Sequence, residues 1–181
     1  MIYVFLAEGF EEVEALTPVD CLRRAGKTVQ TVGVGGKVIT GSHGIPVTAD
    51  ITAAEIRTDD ALEMIVLPGG MPGTLNLGKS QAVQDAITFC DAHDRLIAAI
   101  CAAPSVLGAR GLLNGKTATC YPGFEPQLTG CNAVAEPVCQ DGRIITGRGP
   151  GAAMDFALKL VAVLCGEEKA EQLAEGMVYT K

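Results

Sequence analysis

One thiol has surroundings suited to chemistry. The segment Leu96-Ile-Ala-Ala-Ile-Cys101-Ala-Ala-Pro104 passes from an apolar strand pattern straight into a helix start. A nucleophile on a sharp strand-to-helix turn requires small residues two before and two after it, because the backbone folds back tightly there. Ala99 and Ala103 meet that requirement. Pro104 suits a first helical turn, whose N–H groups have no partner within the helix. A thiol at a helix N-terminus faces free N–H groups and the positive end of the dipole, so a lowered pKa is expected for Cys101. The competing reading makes it a small core residue, since free cysteines are often buried.

Two further segments could serve such a thiol. Pro68-Gly69-Gly70 ends an apolar run, and its glycines let backbone N–H groups approach a substrate oxygen. With the N–H of Ala102, Gly69 and Gly70 would form an oxyanion hole; a plain turn is the simpler account. The other segment leads into Glu11, Glu12 and Glu14. Acidic residues in a first helical turn complement the dipole, which suffices for Glu11 and Glu12. Glu14 lies among Val13, Ala15 and Leu16, and a carboxyl buried there would have a raised pKa and could share a proton with a thiolate.

Gly73-Thr-Leu-Asn-Leu-Gly78-Lys79-Ser80 matches the phosphate-loop pattern G-x-x-x-x-G-K-[ST]. Against a nucleotide site stand the residues 68–72 between strand and first glycine, the bulky Leu75 and Leu77, and the lack of a strand-ending aspartate to hold magnesium. The expected role is structural, with Gly78 ending a short turn and Ser80 capping the next helix.

The elements that must position these residues follow from periodicity. Strand patterns cover Ile2–Leu6, Thr28–Gly33, Met64–Leu67, Leu96–Ile100, Thr117–Cys120, Ala133–Cys139 and Arg143–Thr146, with short strands within Lys37–Thr48. Helical patterns cover Glu11–Ala25, disturbed by Pro18, then Gln81–His93, Pro104–Arg110, Ala152–Cys165 and Glu167–Glu175. Buried strands alternating with helices predict an α/β fold with a mainly parallel sheet covered on both faces. The 181 residues suit one domain, 48% hydrophobic and 19% charged. No apolar run reaches the roughly 18–20 residues of a membrane helix. Ile2–Ala7 reads as a strand and not a signal peptide, so a cytoplasmic location is expected. A net charge of −7, no tryptophan and no basic cluster disfavour nucleic-acid binding. Seven cysteines without a C-x-x-C pair suggest reduced thiols, with Cys21, Cys90 and Cys165 in the core.

Taken together, Ala7-Glu-Gly-Phe-Glu-Glu-Val-Glu14, Arg23-Arg-Ala-Gly26, Val66-Leu-Pro-Gly-Gly70, Ile97–Pro104 and Arg148-Gly-Pro-Gly151 resemble the ThiJ/PfpI superfamily, in the branch of the parkinsonism-associated protein. The resemblance covers nearly the whole chain. It implies a flavodoxin-like three-layer sandwich, a single class I glutamine-amidotransferase-like domain over residues 1–181, and a homodimer. It assigns Cys101 as an oxidation-sensitive nucleophile, Glu14 as its hydrogen-bonding acid, and Gly69, Gly70 and Ala102 as backbone oxyanion donors. It also implies chemistry without a metal or other cofactor. Two departures matter. Related peptidases and amidases carry a histidine directly after the nucleophile, where this chain has Ala102, so no peptidase activity is expected. Tyr121 stands where the named branch has a histidine, and its reference pKa of about 10 makes it a poor substitute. His43 aligns with an arginine of an anion site near the thiol across the dimer. His93, in a charged stretch, is expected at the surface.

Two functions follow as expectations. The first is a glyoxalase- or deglycase-type enzyme that acts on a small carbonyl substrate through Cys101 and Glu14. The alternative is a non-enzymatic redox sensor or chaperone whose Cys101 responds to an oxidant.

Overall fold

Residues 1–180 are described in a computed structural model. In chain order the elements are β1 (Ile2–Ala7), α1 (Glu12–Arg24), β2 (Val29–Val34), β3 (Val38–Thr40), β4 (Pro46–Thr48), β5 (Ile51–Thr52), β6 (Met64–Leu67), α2 (Gly73–Lys79), α3 (Gln81–Ala92), β7 (Leu96–Ile100), α4 (Pro104–Gly108), β8 (Thr117–Ala118), β9 (Asn132–Ala133), β10 (Val138–Asp141), β11 (Ile144–Gly147), α5 (Ala153–Cys165) and α6 (Glu167–Gly176).

The main sheet has the order β10-β11-β7-β6-β1-β2-β5. Only β10 runs antiparallel, against β11. The strands β2-β1-β6-β7-β11 are all parallel and form the 2-1-3-4-5 order of a flavodoxin-like sheet. Two-residue alternation along each strand divides the core in two. Val4, Leu6, Val66, Ala98 and Ile100 face α1 and α5, where they meet Ala15, Leu22, Phe156 and Leu160. Phe5, Ala7, Ile65, Leu67 and Ala99 face the other way, onto Val83, Ala86 and Ile87 of α3. The strands are therefore buried on both faces, which is why they read as unbroken apolar runs. Helix–sheet–helix is the three-layer sandwich expected from the sequence.

Most elements lie where periodicity places them, and the differences have local causes. α1 continues through Pro18, although that residue withholds the N–H that would reach the Glu14 carbonyl. The stretch expected as one strand over Ala133–Cys139 is split, with β9 ending before Pro137 and β10 starting after it. β8 stops at Ala118, because the Thr119 N–H turns to the Thr146 hydroxyl (2.9 Å).

The phosphate-loop pattern is a helix. Over Gly73–Lys79 the backbone is α-helical, with the Thr74 N–H donated to Gly70 and the Asn76 N–H to Pro72. Amides spent on carbonyls cannot cradle a phosphate, and Leu77 and Thr74 are buried. Gly78 lies inside this helix, not in a turn, and Ser80 makes no side-chain cap to α3. A Cβ on Gly78 would meet nothing nearer than Val106 Cγ2 at 3.8 Å, an ordinary contact. Gly78→Ala should therefore raise unfolding stability by about 0.5–1 kcal/mol, read as a higher urea midpoint at unchanged slope. A loop built to bind phosphate would not gain.

Candidate active site at the Cys101 elbow

Parallel strands that start together also end together. β1, β6 and β7 deliver Glu8, Pro68 and Cys101 to one rim of the sheet, beside the point where strand order reverses between β1 and β6. Ligands of open α/β sheets gather there.

Cys101 is the elbow. Its φ is 66°, a left-handed conformation that costs a non-glycine residue about 1 kcal/mol or more. The surroundings hold it: its N–H bonds to the Gly147 carbonyl (2.9 Å), its carbonyl accepts the Tyr121 N–H (2.8 Å), and Ala99 and Ala103 are fully buried on either side. The helix that follows has five residues with Pro104 in its first turn. The side chain is 8% exposed.

Two loops close over the sulfur. A Cβ on Gly69 would lie 2.6 Å from Cys101 Cβ, 2.7 Å from Glu14 Oε2 and 3.0 Å from Cys101 Sγ. Gly69 is thus required by space, not by its backbone angles. Gly70 is required by both, since its φ is 90° and a Cβ would strike the Gly9 carbonyl at 2.5 Å. The backbone N–H groups of Gly70 and Ala102 lie by the sulfur and favour its charged form. Gly69 behaves otherwise than the sequence suggested: its N–H donates to Glu14 Oε2 (2.9 Å), so it holds the carboxyl and not an oxyanion.

Glu14 is completely buried in the first turn of α1. Burial pushes its pKa up to about 7, against the hydrogen bonds from Cys101 and Gly69, which pull it down. Its second oxygen, Oε1, has no aligned donor. Burial also pushes the Cys101 thiol up to about 12; the charge and hydrogen bond of Glu14 add to this, and the Gly70 and Ala102 N–H groups oppose it. The expectation of a thiol acidified by a helix N-terminus is corrected here. A five-residue helix has little dipole, and a buried carboxylate beside the sulfur outweighs two amides. The two groups act as one proton-holding pair: an ionised Glu14 keeps the proton on sulfur, and a protonated Glu14 can donate to a thiolate.

The accessory residues lie further out. Tyr121 reaches the elbow through its backbone, while its ring is exposed and lies over Gly149. With Pro122, Arg148 and Pro150 it walls a cavity of about 360 Å³. His43 sits at the tip of the β3–β4 hairpin and turns to α1, not to the sulfur of its own chain. Its Nδ1 lies 2.9 Å from Glu12 Oε2 and its backbone N–H donates to Glu12 Oε1 (2.9 Å). Burial alone would raise the Glu12 pKa, but hydrogen bonds from the His43 ring and from its own, His43 and Ile45 backbone hold it at about 2. The Glu12 hydrogen bond raises His43 in turn, with the charges of Glu11 and Glu12 adding. Ligand atoms of Glu11, Glu12 and His43 fall within 4.8 Å of one another, close enough for a cation, though His43 and Glu12 already satisfy each other. Helix-dipole reasoning missed this clasp, because Glu12 and His43 are 31 residues apart in sequence. His93 is exposed as expected and stacks on Phe89 at 4.1 Å. Cys21 and Cys90 are buried, whereas Cys165 is only partly so.

The profile of the DJ-1/PfpI family matches residues 1–163. The protein dj-1beta of Drosophila melanogaster is 40% identical over 178 residues, which are 97% of this chain and 95% of that one. The chain belongs to the DJ-1/PfpI family. Its fold agrees: the oxidized structure of Toxoplasma gondii DJ-1 superposes with a TM-score of 0.94 at 36% identity, covering 99% of this chain and 98% of that one. A further DJ-1/PfpI relative, named glutathione-independent glyoxalase DJR-1.2 in Caenorhabditis elegans, is 30% identical over 176 residues, 96% of this chain and 93% of that one. No helix among the described residues is long and apolar enough to cross a membrane.

Two outcomes are expected of this geometry. Between pH 4.5 and 7 the unfolded chain ionises Glu14 while the native chain keeps it protonated. Stability from this group is therefore complete below pH 4.5 and is lost as pH rises through 7, by about 3 kcal/mol. Glu14→Gln should remove that loss, so urea unfolding of the variant falls less steeply with pH than wild type over this window. Gly69→Ala should displace Cys101 and Glu14 together, cutting alkylation of Cys101 or activity at least tenfold while leaving far-UV circular dichroism unchanged.

Proposed function

We propose that this protein is a cofactor-free, glyoxalase- or deglycase-type enzyme that acts on small dicarbonyls or their adducts. The observation that carries this is Glu14 Oε1: a buried carboxyl oxygen, unpartnered, with its pKa near 7, beside a thiol on an elbow. Such a group can take up and return a proton at neutral pH.

In this scheme Cys101 Sγ adds to the aldehyde carbon of a dicarbonyl and its proton passes to Glu14. The N–H groups of Gly70 and Ala102 meet the developing oxyanion, which takes the proton back to give a hemithioacetal. Glu14 then moves the proton on C1 to C2 through an enediol, leaving a thioester. Water cleaves the thioester to the hydroxy acid and returns the thiol. No metal or nucleotide takes part, and Ala102 in place of a histidine argues against peptide hydrolysis. The relative named as a glyoxalase supports the same chemistry.

The protein would work in the cytoplasm as a homodimer of single-domain chains. Exposed Val13 and Leu16 on α1 offer an apolar face for the second copy, and His43 would meet an anion near the partner's thiol. A second reading, oxidative sensing at Cys101, is favoured by the Gly70 and Ala102 N–H groups, which favour negative charge on the sulfur and would stabilise a sulfinate.

Methylglyoxal turnover separates the readings. Wild type should exceed buffer, Cys101→Ala should equal buffer, and Glu14→Gln should lose at least tenfold in kcat. Equal turnover by wild type and Cys101→Ala would end the enzymatic proposal. Selective oxidation of Cys101 by peroxide, seen by intact mass, would then support sensing.

A further inference from the structure

Away from the elbow, three sulfur atoms from distant parts of the chain converge. Cys21 on α1 lies with its Sγ 3.8 Å from Met154 Sδ at the start of α5 and 3.9 Å from Met177 Sδ just after α6. The thiol is completely buried, and both methionines are partly buried against the same core.

Both distances from Cys21 suit a coordination geometry. Three sulfurs arranged at 120° around one ion, with metal–sulfur bonds of about 2.3 Å, stand roughly 4 Å apart. One thiolate and two thioethers are soft donors and suit a soft monovalent ion at low coordination number; zinc takes four ligands in a structural site, and magnesium takes oxygen.

We propose that Cys21, Met154 and Met177 form a three-coordinate site for Cu(I), separate from the Cys101 elbow. Burial pushes the Cys21 thiol up to about 11, with the charge of Asp20 adding to this and that of Arg24 opposing it, so at neutral pH the ligand arrives protonated. Binding breaks the S–H bond, forms the S–Cu bond and releases one proton, with no change in oxidation state. The thiolate neutralises the ion, so no net charge is buried. Because the three ligands tie α1 to α5 and to the segment after α6, the ion would also pin the C-terminal helix to the body of the fold.

The test titrates the full chain, anaerobically, with Cu(I) in competition with bicinchoninate, and follows the methyl carbons of the five methionines by NMR. The Met154 and Met177 methyls, assigned through Met154→Leu and Met177→Leu, should shift together as one equivalent binds, while the buried Met64 methyl stays in place. Each leucine variant and Cys21→Ser should bind that equivalent at least tenfold more weakly, and Cys101→Ala should bind it as wild type does. Leucine keeps the packing volume, so loss of fold will not mimic loss of ligand. Unmoved Met154 and Met177 methyls, or leucine variants that bind as wild type, would overturn the site.

Discussion

The site depends on how β6 and β7 lie together. They pair in parallel with Leu67 opposite Ala99, so both chains leave the sheet at the same level, less than 5 Å apart. Two backbones turning side by side leave room for one side chain. Cys101 takes it, and position 69 must then carry no Cβ. That arrangement directs one amide of the Gly-Gly pair at the carboxyl and the next at the sulfur. A glycine loop, a strained cysteine and a buried acid are thus three consequences of one strand register.

Glu14 is the energetic counterpart. A carboxyl with no exposed surface is stable only when neutral or well hydrogen-bonded, and it has one bond from Gly69 and an interaction with the thiol. The fold accepts the remaining cost, which makes the acid's pKa suit chemistry at neutral pH. The same burial raises the thiol, so reactivity depends on how the proton is shared with Glu14. It rests on a proton held between two groups, one of which can pass it to a bound carbonyl.

α1 connects the distant parts of the molecule. Its first turn holds the β3–β4 hairpin through Glu12 and His43 and also carries Glu14, and its third places Cys21 against two methionines from the C-terminal third. A helix that contacts so many elements can run through Pro18, because tertiary packing, not local hydrogen bonding, sets its stability.

The local patterns determined a good deal. Apolar runs marked the buried strands, alternation with helices implied the parallel sheet, and alanines around Cys101 marked the elbow, because each is a constraint that neighbours in sequence impose on one another. Family resemblance added Glu14 and its partners. What no local pattern carried was distance. That Gly69 serves Glu14 and not an oxyanion, that Glu12 is a clasp, that residues 73–79 are helix in spite of a phosphate-loop spelling, and that three sulfurs meet from opposite ends of the chain were all decided by packing. So was the rise in the Cys101 pKa. A helix start suggests an acidic thiol, but desolvation and a neighbouring charge belong to the folded interior, and only the tertiary structure puts a carboxyl from α1 beside a sulfur 87 residues away.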